Sequence, residues 1–252
     1  MIRNYAMAAI TLLGVLMLAG QASAAAYGNF MDPSGTVFYN NVADVNGLYG
    51  APSVSLNSLD FTPTTFEAQC ASCLDGFAQT DDTLTMDIVS IGGQQITEIG
   101  IAEGLDYQIQ AFGTGAFASV TVAANIFVDI FEVNGASVNG ISDSFSVAFS
   151  PSNSYSTFGP TGIDGDLFEG LLNIDIQQIL LDNATIGEAT GVRLSFDNTL
   201  QAFHSGGGQA LIRKRDADFV SLTINGGSPV PEPGTAILLM GGLAVLASRR
   251  RS

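Results

Sequence analysis

The tightest constraint in this sequence is a two-residue rhythm. Between Ala118 and Phe131 the even positions Val120, Val122, Ala124, Ile126, Val128 and Ile130 are all apolar, while the odd ones include Ser119, Thr121, Asn125 and Asp129. Successive side chains of a strand point to opposite faces, so this run dictates a strand with one face in a core. The same alternation recurs at Leu84, Met86 and Ile88; at Leu105, Tyr107 and Ile109; at Phe145, Val147 and Phe149; at Val192, Leu194 and Phe196; and at Val220, Leu222 and Ile224. Between these runs lie turn formers: Asn46-Gly47, Gly92-Gly93, Asn134-Gly135, Asn139-Gly140, Gly206-Gly207-Gly208 and Asn225-Gly226-Gly227. Glycine and asparagine tolerate positive φ, which tight hairpins require. The expected fold class is all-β, an antiparallel β-sandwich with jelly-roll-like winding. One helix is expected from Asp166, with Glu169 closing a capping box and Leu167, Phe168, Leu171 and Leu172 sharing a face. Leu172, Ile174 and Ile176 read equally well as strand.

Composition narrows the function classes. Of 252 residues 13% are charged, about half the roughly 25% usual in globular chains, so neither a disordered polyelectrolyte nor a long-helix protein fits. The 24 Asp and Glu against 8 Lys and Arg give a net charge of -16, which repels phosphate backbones and excludes nucleic acid as a partner.

The two ends read as addresses. Arg3 precedes an apolar run from Met7 to Leu18 and then Ala22-Ser23-Ala24, the layout of a secretory signal peptide over residues 1–24. Residues 25–228 form the expected secreted β-sandwich domain, which retains Arg193, Arg213, Lys214 and Arg215 against 23 acids, a charge of about -19. Residues 229–252 open on Val230-Pro231-Glu232-Pro233, continue through an uncharged stretch from Gly234 to Ala247, and end on Arg249, Arg250 and Arg251. The apolar stretch reads as a short transmembrane helix, and the arginines as a stop-transfer tail that stays cytoplasmic. Two prolines fix φ and hold their neighbours extended, which presents the peptide stretched beside the membrane.

Those three ordered parts resemble the PEP-CTERM sorting signal of Gram-negative bacteria that make extracellular polysaccharide. The resemblance implies that Pro231, Glu232 and Pro233 are recognised by an exosortase, a membrane cysteine peptidase, and that the protein is its substrate. It further implies transient insertion in the inner membrane, then release or transfer to the cell surface or matrix.

Candidate chemistry within the body is sparse. Cys70 and Cys73 are expected to form a local disulfide, since an even cysteine count in an exported chain favours oxidation. His204 is the sole imidazole, lies on the apolar parity of its strand, and has no Gly-x-Ser-x-Gly nucleophile elbow to serve. Asp164, Asp166 and Glu169 are weak calcium candidates, because they lack the ligand order of a twelve-residue EF-hand loop. Tyr27, Tyr39, Tyr49, Tyr107 and Tyr155 are scattered, and their expected role is packing. Arg213-Lys214-Arg215 reads as a solvated edge strand whose charges discourage edge-to-edge pairing.

With no catalytic constellation, no cofactor and no metal site expected, the first reading is a non-enzymatic surface or matrix protein, structural or interacting with the exopolysaccharide of a biofilm. The alternatives are a secreted carbohydrate-binding module and a secreted polysaccharide hydrolase using paired carboxylates or His204.

Overall fold

The computed structural model describes residues 24–71, 73, 76–159, 162–164, 168–215 and 220–226. The expected leader up to residue 23, the segment at 229–252 for which a short apolar helix and an arginine tail are expected, and Asp166 lie outside them. Among the described residues no helix is long and apolar enough to cross a membrane.

The elements run β1 (Ala25–Met31), β2 (Val37–Asp44), β3 (Ser53–Ser55), β4 (Ser58–Phe61), β5 (Glu67–Cys70), β6 (Phe77–Ser90), β7 (Ile96–Ala111) and β8 (Phe117–Val133). They continue with β9 (Ala136–Ser146), β10 (Ala148–Ser150), β11 (Ser154–Phe158), β12 (Gly162–Asp164), β13 (Phe168–Asp175), α1 (Ile176–Asp182), β14 (Ala189–Ser205), β15 (Gly208–Lys214) and β16 (Val220–Gly226). One sheet has the order β1-β2-β6-β14-β8-β11, with β9 also on β8; the other runs β10-β13-β7-β16-β4-β3, with β12 and β15 also on β7 and β5 on β15. Its ladders are antiparallel throughout, as an all-β sandwich requires.

The alternation in the sequence becomes the core. On β8 Val120, Val122, Ala124, Ile126, Val128 and Ile130 are all buried, as are Leu84, Met86 and Ile88 on β6 and Val192, Leu194, Phe196 and Leu200 on β14. Apart from Ala124, each of these side chains contributes about 1.5–3 kcal/mol by leaving water. Tyr39 and Tyr49 are wholly buried, and Tyr49 meets Phe66 and Phe61 edge-on at 5.4 and 5.9 Å. Asn134 and Gly135, at φ 50° and 73°, make the tight turn between β8 and β9 with both central residues left-handed.

Two local expectations are corrected. The helix does not start at Asp166: Phe168–Asp175 is β13, laddered to β7 from Phe168 opposite Leu105 to Asp175 opposite Glu98. Period two wins there, since Ile174 is buried whereas Leu171 is 65% exposed. The helix begins at Ile176, where the Asp175 carboxylate accepts the Gln178 backbone N–H at 2.9 Å and Ile176, Ile179 and Leu180 face the core. Asn139-Gly140 makes no turn either, because both residues lie within β9.

Candidate functional site

The outer face of the β1–β11 sheet carries the odd-numbered side chains of β6, β8 and β14. At one end Phe77, Phe203, Phe117 and Phe158 form a row across β6, β14, β8 and β11. Phe203 stands opposite Phe77, the Phe117 and Phe203 rings lie 5.9 Å apart, and those of Phe117 and Phe158 lie 4.8 Å apart. Four neighbouring strands make such a row roughly 14 Å wide. Phe158 is 69% and Phe77 45% exposed, which is unusual for large aromatic side chains on a strand. Next to the row the same face carries polar pairs. Gln201 donates to Gln79 at 3.1 Å, Thr83 to Asp197 at 3.1 Å, and Ser146 to Asn125 at 2.8 Å.

At the far end an open groove of about 540 Å³ is lined by Phe127, Asp129, Ser142, Asp143, Ser144 and Arg193, among others. Arg193 lies over the Phe131 ring at 5.8 Å and binds Asp87 through Nε at 2.7 Å and a second nitrogen at 3.3 Å. Burial raises the Asp87 carboxyl, but the Arg193 and Asn41 hydrogen bonds outweigh it and hold the group below its ordinary range. The carboxylate is therefore an anchor for the arginine.

A second cluster is enclosed between the sheets. Lys214 at the end of β15 pairs with Glu103 of β7, neither side chain being exposed at all. Asn198 of β14 donates from Nδ2 to Glu103 Oε1 at 2.8 Å and to the Tyr49 hydroxyl oxygen at 2.9 Å. The rings of Phe66, Phe196 and Tyr49 surround Lys214 Nζ at 5.4, 5.7 and 5.8 Å. Desolvation pushes the amine below lysine's ordinary range, although the Glu103 charge and hydrogen bond oppose it. Glu103 Oε2 and Asn198 Oδ1 are buried without hydrogen-bond partners among the described residues. Each such orphan costs about 1–3 kcal/mol, and a buried ion pair is weak support for stability by itself.

The residues singled out in the sequence are dispersed. Cys70 and Cys73 form the disulfide, with Cα atoms 5.1 Å apart. His204, half-buried near the end of β14, lies beside it, with ring nitrogen and sulfurs within 4.8 Å of one another. Sulfurs bonded to each other are not the thiolates a zinc site needs. Asp164 and Glu169 sit on separate strands, β12 and β13, that pair with different stretches of β7. Of the tyrosines, Tyr107 stacks on Tyr155 at 4.3 Å, a packing role, whereas Tyr27 donates a hydrogen bond to Asp44 at 2.9 Å.

Arg213-Lys214-Arg215 is not a solvated edge, since β15 is paired on both sides, by β5 and β7. Its side chains do alternate. Arg213 and Arg215 reach Asp106 at 2.8 and 3.2 Å, and Lys214 turns inward. Parity was the available signal for the inner cluster. Glu103 shares it with Ile101 and Leu105, Asn198 with Phe196 and Leu200, and Lys214 with Ala210 and Ile212.

No curated protein matches the chain. Solved structures similar to it include TmCBM61 in complex with β-1,4-galactotriose, 12% identical over 77% of this chain and 85% of that chain, with a TM-score of 0.18. Another is the carbohydrate-binding module CBM28, specific for non-crystalline cellulose, 11% identical over 55% of this chain and 73% of that chain, with a TM-score of 0.21. A third is the CBM22-1-GH10 portion of Clostridium thermocellum xylanase 10B with xylohexaose, 8% identical over 63% of this chain and 26% of that chain, TM-score 0.19. At the C-terminus, residues 229–251 match the family model of the PEP-CTERM protein-sorting motif. That match takes in Val230-Pro231-Glu232-Pro233, the apolar stretch and the terminal arginines together, and the chain thus carries a PEP-CTERM sorting motif at its C-terminus.

Proposed function

We propose that this is an exported, non-enzymatic protein, cut or transferred at Pro231-Glu232-Pro233 by an exosortase and left at the cell surface or in the matrix. There its sandwich engages exopolysaccharide through the outer sheet face. The observation that carries the sorting half is the C-terminal motif at 229–251. What supports the glycan half is the row Phe77, Phe203, Phe117 and Phe158 beside a hydroxyl- and amide-rich surface. Sugar rings pair apolar C–H faces with hydroxyl edges, which suits aromatic planes next to hydrogen-bonding side chains. An acidic surface also attracts the cations of an ionic matrix.

Two comparisons test the reading. The wild type and a variant with Pro231, Glu232 and Pro233 replaced by alanine are followed by cell fractionation and mass; the variant stays in the membrane fraction at full C-terminal length, and identical release and mass would remove the sorting claim. Phe158→Ala and Phe117→Ala are then run through gels containing the producing cell's exopolysaccharide. Wild-type retardation lost in both variants supports the face, and unretarded wild type removes the glycan claim. The carbohydrate-binding-module reading rests on the same row. A hydrolase reading would rest instead on Asp129 and Asp143, the two acids that line the groove.

A further inference from the structure

Three strands from two sheets deliver an amine, a carboxyl group and a carboxamide to one dry point. Lys214 Nζ and Asn198 Nδ2 both contact the same oxygen, Glu103 Oε1, the amide at 2.8 Å. All three side chains are buried, and the aromatic rings of Tyr49, Phe66 and Phe196 close around the amine. A polar triad that leaves Glu103 Oε2 and Asn198 Oδ1 without partners among the described residues makes a poor structural lock. The same arrangement suits acyl transfer, in which a neutral amine attacks an amide carbon while one carboxyl group carries protons between them.

We propose that Lys214 and Asn198 become joined by an intramolecular isopeptide bond, formed by the folded chain itself with Glu103 as the catalytic proton carrier. The ammonium first passes a proton to Glu103, which leaves a neutral amine, and desolvation among the aromatic rings favours that uncharged amine. The Nζ lone pair forms a bond to Asn198 Cγ, and negative charge develops on Oδ1. Nδ2 stays against Glu103 Oε1, where the acid can protonate it as the leaving group. Glu103 takes the second Nζ proton and returns a proton to Nδ2, the Cγ–Nδ2 bond breaks, and ammonia leaves. One C–N bond replaces another, so no oxidant, reductant or cofactor is needed.

Only one turnover per molecule is required. Holding amine and amide together confers effective molarities of roughly 10⁵–10⁸ M in well-oriented cases, which compensates for the weak electrophile. The product ties β14 of one sheet to β15 of the other across the core, a link that reducing agents leave intact, unlike Cys70–Cys73.

The test is the mass of the full chain recovered folded, denatured and reduced, with its termini mapped. The expected mass is that of its sequence less one ammonia. After trypsin, the peptide Leu194–Arg213 carries the Lys214–Arg215 dipeptide on Asn198, and fragmentation places the branch there. Recovery of Leu194–Arg213 with an unmodified Asn198 overturns the proposal. So does an ammonia loss without a branch, which would be a succinimide at Asn198.

Glu103→Gln keeps the shape and hydrogen bonding but cannot carry protons, and Lys214→Met removes the nucleophile. Both are expected at unreduced sequence mass. A fully branched Glu103→Gln protein would overturn the role of Glu103. If either variant fails to fold, the wild-type peptide map still decides the bond.

Discussion

Lys214 and Glu103 meet in the middle of the sandwich where neither side chain has any contact with solvent. Their strands are adjacent in the ladder, with Lys214 opposite Leu105, two residues along β7 from Glu103 on the same inward face. A chain lacking this amine folds with a buried carboxyl group that has lost its counter-charge, and it cannot form the link to Asn198. Lys214→Met is expected to destabilise the domain by at least about 3 kcal/mol, read as a lower urea midpoint at unchanged slope.

The Asp32 turn gives a pH-dependent prediction. Its carboxylate accepts the backbone N–H groups of Thr36 and Val37, both at 2.6 Å, and of Ser34 at 3.1 Å, together with the Ser34 hydroxyl. Burial alone would raise this carboxyl, but those donors win and hold it below its ordinary value. A carboxyl depressed in the folded state contributes stability that is fully present above the unfolded value, about 3.9, and is lost as pH falls through the lower folded value. Asp32→Asn should cost about 1–3 kcal/mol at pH 7, because an amide puts N–H against N–H. The difference in melting temperature between variant and wild type should shrink steadily once pH drops below about 4.

The hairpin between β8 and β9 isolates a backbone effect. A Cβ at Gly135 would meet nothing within 4 Å, yet the residue has φ 73°. Gly135→Ala should therefore cost about 1–2 kcal/mol through left-handed strain alone. At Gly170 a Cβ would come within 2.6 Å of Phe149 and Val147, without any positive φ. Gly170→Ala should instead act by pushing β10 away from β13, seen as faster amide exchange in Ala148–Ser150.

Reduction of the Cys70–Cys73 bond closes the smallest of predictions. The cross-link spans a sequence separation of 3, so it removes little freedom from the unfolded chain. Stability by urea titration should fall by no more than about 2 kcal/mol on adding a reductant. A larger loss would mean that the bridge holds β5 in its place against β15.

Strand-by-strand, the sandwich was legible because burial on one face imposes a period that no other structure shares. Val120 to Ile130 and Val192 to Leu200 announce their inward sides without help from the rest of the chain. The helix at Ile176 was misplaced because Asp166 and Asp175 are chemically equal caps, and only the ladder to β7 decides which follows a strand end. Lys214 was misread because charge normally means surface, and β15 is interior only through having both β5 and β7 beside it.

By itself the sequence determined the fold class, the disulfide pair and the sorting motif, all of which are local: a rhythm, a spacing and an ordered run of residue types. What tertiary structure alone decided is which distant side chains share a space. The Phe row and the Lys214–Glu103–Asn198 cluster each unite strands far apart in the chain, and their register follows from how complete sheets pair and stack, a property that no single segment possesses.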